Sequence, residues 1–117
     1  MSITTKETKL IEVTVTIANT GTLSDAVEIG NGTIVGAYFP ASMDGDSVTI
    51  HDSSTLTGTY TAVYDSTNTA VGWTVDTNAG VRTIQPASTA GIRPFVKLAC
   101  SAQTGSKTVV LLIKAIR

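Results

Sequence analysis

From Leu10 the run "LIEVTVTIA" alternates strictly between apolar and polar residues, placing Val13, Val15 and Ile17 on one side and Glu12, Thr14 and Thr16 on the other. A period of two is the signature of a strand with one face buried, and it excludes an amphipathic helix over this stretch. The pattern recurs along the chain. "LSDAVEIG" sets Leu23, Val27 and Ile29 inward, and the short turns around it predict antiparallel pairing with the strand before it. "TIVGAYFP" is apolar on both faces and reads as a central strand that Pro40 ends. "DSVTIH", "GTYTAVYD", "AVGWTVD" and "GVRTIQP" follow, separated by clusters of Asp, Asn, Ser, Thr and Gly.

The last two candidate strands are "GIRPFVKLACSA" and "KTVVLLIKAIR". Pro94 confines the start of the first to an edge or a bulge. Val109 to Ile113 are so apolar that the second belongs in the middle of a sheet. Together these runs predict an all-β chain, an antiparallel two-sheet sandwich of jelly-roll-like type with eight or nine strands and no helix. The 117 residues suffice for one domain that buries roughly two-thirds of its extended surface. Residues 10–117 are assigned to that sandwich, and the polar "MSITTKETK", residues 1–9, to a flexible N-terminal arm.

Charge narrows the function. Eight Lys and Arg against nine Asp and Glu, scattered singly, form no basic stripe for a phosphate backbone, so no nucleic-acid partner is expected. Only 15% of residues are charged, which leaves a surface of Thr, Ser, Asn and Gly that suits packing against copies or partners and equally the Thr-rich exterior of an ordinary small β-domain. The single Cys100 rules out an internal disulfide and is expected as a buried, inert thiol. No run reaches the roughly 18 apolar residues of a membrane-spanning helix, and no membrane association is expected.

"PASMDGDSVTIHDSS" concentrates what chemistry the chain offers, with its lone His51 beside Asp44, Asp46 and Asp52. On a regular strand Asp46, Val48, Ile50 and Asp52 share one face while His51 takes the other. Asp46 and Asp52 then stand about 20 Å apart, too far to share an ion. No G-x-S-x-G elbow supports a Ser-His-Asp triad, and the spacing of a calcium loop is missing. "DGD" is instead a turn signal, with Gly45 free to take positive φ. Trp73 shares parity with Val71 and Val75, and Tyr60 with Ala62 and Tyr64, so packing is the simpler reading of these rings; a sugar-stacking platform at Trp73 or Tyr64 is the rival. No enzymatic activity, cofactor or metal is expected.

The runs "GTLSDAVEIGNGTIVGAYFPASMDGDSVTIHDSSTLTGTYTAVYDSTNTAV" and "AGVRTIQPASTAGIRPFVKLACSA", with the apolar C-terminal strand, resemble a family of small β-sandwich structural proteins of tailed bacteriophages. The resemblance covers roughly Gly21 to Arg117. It implies a jelly-roll-like sandwich that serves as a head decoration or cement protein, with a carbohydrate-binding or host-recognition module of a fibre as the alternative. His51 departs from the aromatic or aliphatic residue that the resemblance implies there. The expected partners are the major capsid protein and further copies of the chain, as a homotrimer or other homo-oligomer. The expected place is the outer surface of the phage head, after synthesis in the host cytoplasm. Contact residues are expected in the arm, at Ile3, Thr4, Thr5, Lys6, Glu7 and Lys9, and at the turn tips marked by Asp44, Asp46 and Asn68.

Overall fold

The computed structural model describes residues 8–30, 32–45, 47–75, 81–84 and 92–116. They contain nine strands: β1 (Thr8–Ile17), β2 (Val27–Glu28), β3 (Thr33–Phe39), β4 (Ser47–Ser53), β5 (Thr61–Ala62), β6 (Gly72–Thr74), β7 (Val81–Ile84), β8 (Phe95–Cys100) and β9 (Lys107–Ile116). One sheet has the order β1-β9-β3-β7; the other runs β2-β8-β4-β5, with β6 also on β4, and every pairing is antiparallel. No helix occurs among the described residues.

The pairing is nested. β1 lies on β9, β2 on β8, β3 on β7, and β4 on β5 and β6. The chain is thus one long hairpin folded over on itself, each successive pair crossing to the opposite sheet. Bonds between β3 and β9 and between β4 and β8 then close the two sheets. This is the jelly-roll arrangement that the runs of short strands predict.

The strands fall where their patterns require. β9, apolar on both faces, lies between β1 and β3, and β3 lies between β9 and β7. Phe39 is the last residue of β3 because Pro40 has no N–H for the ladder. Pro94 likewise precedes the first residue of β8, a central strand, so it marks the strand's start without placing it at an edge. The register of β3 on β9 shifts between Ile34 and Gly36, which makes Val35 a bulge and returns Ala37 and Phe39 to the core side after it.

Between the sheets, Val15 and Ile17 of β1, Ile34 and Phe39 of β3, Val109, Leu111 and Ile113 of β9 meet Val48 and Ile50 of β4 and Val96 and Leu98 of β8. Each such aliphatic side chain contributes about 1.5–3 kcal/mol by leaving water. Leu112 is also buried, but on the other face of β9, in register between Glu12 and Gly36.

Two expectations are corrected. β1 and β2 are not partners; they belong to different sheets, and the connection between them meets β1 at the bridge of Ile17 with Ser24 and through the hydrogen bonds of Thr16 with Asp25. Turn residues between two runs allow a hairpin but equally allow the chain to cross between sheets. Leu23, expected inward, is 44% exposed, because it forms a bridge to Ala99 on the outer face of β8.

Candidate functional site

β4 orders the candidate residues by parity. Val48, Ile50 and Asp52 face inward and are buried, whereas Thr49 and His51 are half-buried on the outer face. His51 stands in register between Lys97 of β8 and Ala62 of β5. It is therefore on the opposite side of the sheet from Asp52, as the alternation predicts.

A carboxylate on a core-facing position needs a cation and donors to be tolerated there. Arg93, one residue before Pro94, supplies both. Its backbone N–H donates to Asp52 Oδ2 at 3.0 Å, and its Nε and Nη2 donate to Oδ1 at 2.9 and 2.7 Å. Nη2 also donates to the Asp52 carbonyl and to Thr61 Oγ1, each at 2.8 Å. The guanidinium thus ties β4, β5 and the entry to β8 together. With both oxygens occupied, Asp52 holds a structural ion pair and is not placed to act as a general base or to ligate an ion.

At the other end of β4, Gly45 takes φ 80°, as the "DGD" turn requires. That turn is fastened to the β8–β9 connection by Gln103, which is buried. Gln103 Oε1 accepts from the Asp44 N–H, and its Nε2 donates to the Asp44 and Ser101 carbonyls. The Asp44 carboxylate accepts from the Thr104 N–H, and Lys107 Nζ donates to Ser42 Oγ and the Thr104 carbonyl. Gln103 also donates to Cys100 Sγ at 3.6 Å. Cys100 is half-buried, and that burial pushes its thiol above the ordinary range despite the Gln103 contact.

The third turn interrupts the outer strand of the second sheet. β5 and β6 occupy one strand position beside β4, and residues 63–71 leave it as a hairpin. Ile50 bridges the gap, its carbonyl accepting from Val63 N–H and its N–H donating to the Val71 carbonyl. At the hairpin tip Asn68 has φ 64°, and Asp65 Oδ1 accepts from Thr67 N–H, Thr67 Oγ1 and Thr69 N–H. The Thr67 hydroxyl first, then the Thr69 N–H, hold the Asp65 carboxyl below its ordinary value.

Trp73 is 6% exposed and packs edge-on against Phe39, with ring centroids 5.5 Å apart. It is a core residue and offers no face for stacking a sugar. Tyr60 donates its hydroxyl to the Leu56 carbonyl and carries the Lys97 ammonium 4.7 Å above its ring, while Tyr64 is 57% exposed on the hairpin.

Of the residues expected to make contacts, Asp44 and Asn68 lie in two separate turns, the first half-buried and the second exposed. Ile3, Thr4, Thr5, Lys6, Glu7 and Asp46 fall outside the described residues, and with Asp46 its separation from Asp52. Lys9 belongs to β1, opposite Ala115, and Thr8 precedes it there opposite Ile116, so β1 takes in the last two residues of the expected arm. The residues that sequence reasoning missed are Arg93 and Gln103. The inward parity of Asp52 signals the need for a cation, but nothing local points 41 residues ahead to Arg93. No group of three or more His, Cys, Asp or Glu positioned for a metal ion occurs among the described residues.

No protein-family model, no curated protein and no solved structure matches the chain.

Proposed function

We propose that this chain is a structural protein of a bacteriophage virion, a head decoration or cement subunit that bridges major capsid proteins and associates with its own copies. The observation that carries a binding role is how the polar side chains are used. Asp44, Asp52, Asp65, Arg93 and Gln103 are all engaged in holding turns and strands. Among the described residues, what is left outward is mostly uncharged surface with scattered apolar side chains, among them Leu10, Leu23, Leu56 and Tyr64. The resemblance of Gly21 to Arg117 to phage structural proteins, together with the jelly-roll arrangement, supports the virion assignment.

The mechanism follows from burial. A rigid sandwich seated across a joint between capsid subunits must be detached before the joint can open, so its contact energy adds to that of the shell. An interface of about 1,000 Å² per site is enough for specific seating. The test is binding of the purified chain to undecorated heads, read by co-sedimentation and by imaging of the particle. Saturable binding on the outer surface, reduced when residues 1–7 are removed while the unfolding midpoint is unchanged, is the expected result. Absence of binding to heads would overturn the assignment.

A further inference from the structure

The strands at the sheet edges differ in how they are protected. β2 and β5 have two residues each, β6 three and β7 four, whereas β1 has ten in unbroken register with β9. Natural edges are blunted by shortness, bulges or proline. β1 has no bulge and no proline.

Among the described residues, only its last part is closed. Thr16 N–H donates to Asp25 Oδ1 at 2.7 Å, and the Thr16 carbonyl accepts from Asp25 N–H at 3.1 Å. Both groups of Thr16 therefore turn away from β9. Because these directions alternate along an antiparallel strand, Leu10, Glu12 and Thr14 turn theirs the same way, and among the described residues β1 pairs with β9 and, beyond Thr14, only with the Ser24–Asp25 segment. Leu10 and Ile11, at this open edge, are 60% and 38% exposed.

We propose that the open edge docks a second copy of the chain, β1 against β1 about a twofold axis, joining two four-stranded sheets into one. The geometry of the edge selects the occupant and the register. The open stretch runs from Thr8 to Thr14, and its midpoint is Ile11. Full antiparallel overlap sets Thr8 opposite Thr14, Leu10 opposite Glu12, and Ile11 opposite its own copy. Every edge-directed residue then meets an edge-directed residue, so all the open N–H and C=O groups pair. Ile11 falls in the widely bonded position, where facing side chains approach most closely, and extends the core across the seam. Slipping one strand by a single residue turns core-facing positions against outward ones. Slipping by two in one direction sets Glu12 against its own copy, and in the other shortens the overlap to Thr8–Glu12. Strand pairing of this kind is a general mode of recognition, and a twofold contact closes on itself without growing into a filament.

This contact does not depend on the virion assignment, and the free protein tests it. In a Cys100→Ser background, Ile11→Cys places two thiols across the axis, with Cα atoms about 4.5 Å apart, within the span of a disulfide. Mild oxidation should give a covalent dimer from Ile11→Cys and none from Val13→Cys, whose symmetry mate is four residues out of register. The unmodified chain should sediment as a dimer at micromolar concentrations. Glu12→Pro removes only an edge-directed N–H and should weaken dimerisation by roughly tenfold or more while leaving the far-ultraviolet circular dichroism unchanged. A chain that is monomeric at all concentrations, or one that self-associates without crosslinking through Cys at position 11, would overturn the proposal. If Glu12→Pro does not fold, the crosslink alone decides.

Discussion

Asp52 and Arg93 show how one buried carboxylate organises its surroundings. The carboxylate is nearly enclosed while the guanidinium is 44% exposed, so the two partners are not equivalent. Removing the arginine strands a charge inside the sandwich; removing the charge of the aspartate leaves an arginine that can turn to water. Arg93→Met should therefore destabilise the chain more than Asp52→Asn. Discounted for the exposed partner, the costs are about 2 and about 1 kcal/mol, read as shifts of the urea unfolding midpoint. Equal costs would mean that the pair acts through hydrogen bonding alone. His51, the residue that most invites a catalytic reading, is separated from Asp52 by the pleat itself. That separation was legible from alternate residues of "SVTIHDS"; the identity of the arginine was not, because the nested topology brings it from the far side of the hairpin.

The hairpin of residues 63–71 is the element whose form departs most from its sequence pattern. "GTYTAVYD" and "AVGWTVD" read as two strands, yet each contributes only a short segment to the same strand position beside β4. Alternation predicts which side chains face inward, and Val71, Trp73 and Val75 do. It does not tell a strand in a sheet from the arm of a protruding hairpin, since both alternate. The tip is held by Asp65, and its lowered carboxyl pKa links the hairpin to pH. A depressed folded-state value contributes stability that is present above the unfolded value, ordinarily 3.8, and is lost as pH falls through the folded value. Thr67→Val removes the leading cause. The Asp65 carboxyl titration, followed by NMR, should move up toward 3.8 in that variant. An unchanged midpoint would assign the shift to the backbone donors instead.

At the scale of the molecule, the nested pairing makes nearly every ladder a contact between distant parts of the chain: β1 waits for β9, and β2 for β8. Closure of such long loops is slow, and the sandwich has no separable half, since each nested strand pair touches the next across the core. Unfolding should be a single transition, with Trp73 fluorescence and far-ultraviolet circular dichroism giving coincident curves. Divergent curves would show that one sheet survives the other. Strand content and core faces were readable because they are local properties of period two; the partition between sheets was not, because it depends on which turns cross over. The same nesting has a practical outcome. Thr8 and Ile116 are directly opposite each other, so the start of the first strand and the end of the last lie side by side. Residues 1–7 with Arg117 are long enough to serve as a tether between them, since neighbouring strands are only about 5 Å apart. A circularly permuted chain, opened between Thr57 and Gly58 in the exposed β4–β5 connection, would keep the described ladders and put at risk two hydrogen bonds that span the cut, from Gly58 N–H to the Thr55 carbonyl and from the Tyr60 hydroxyl to the Leu56 carbonyl. The order in which the strands are made is thus separable from the order in which they are stacked.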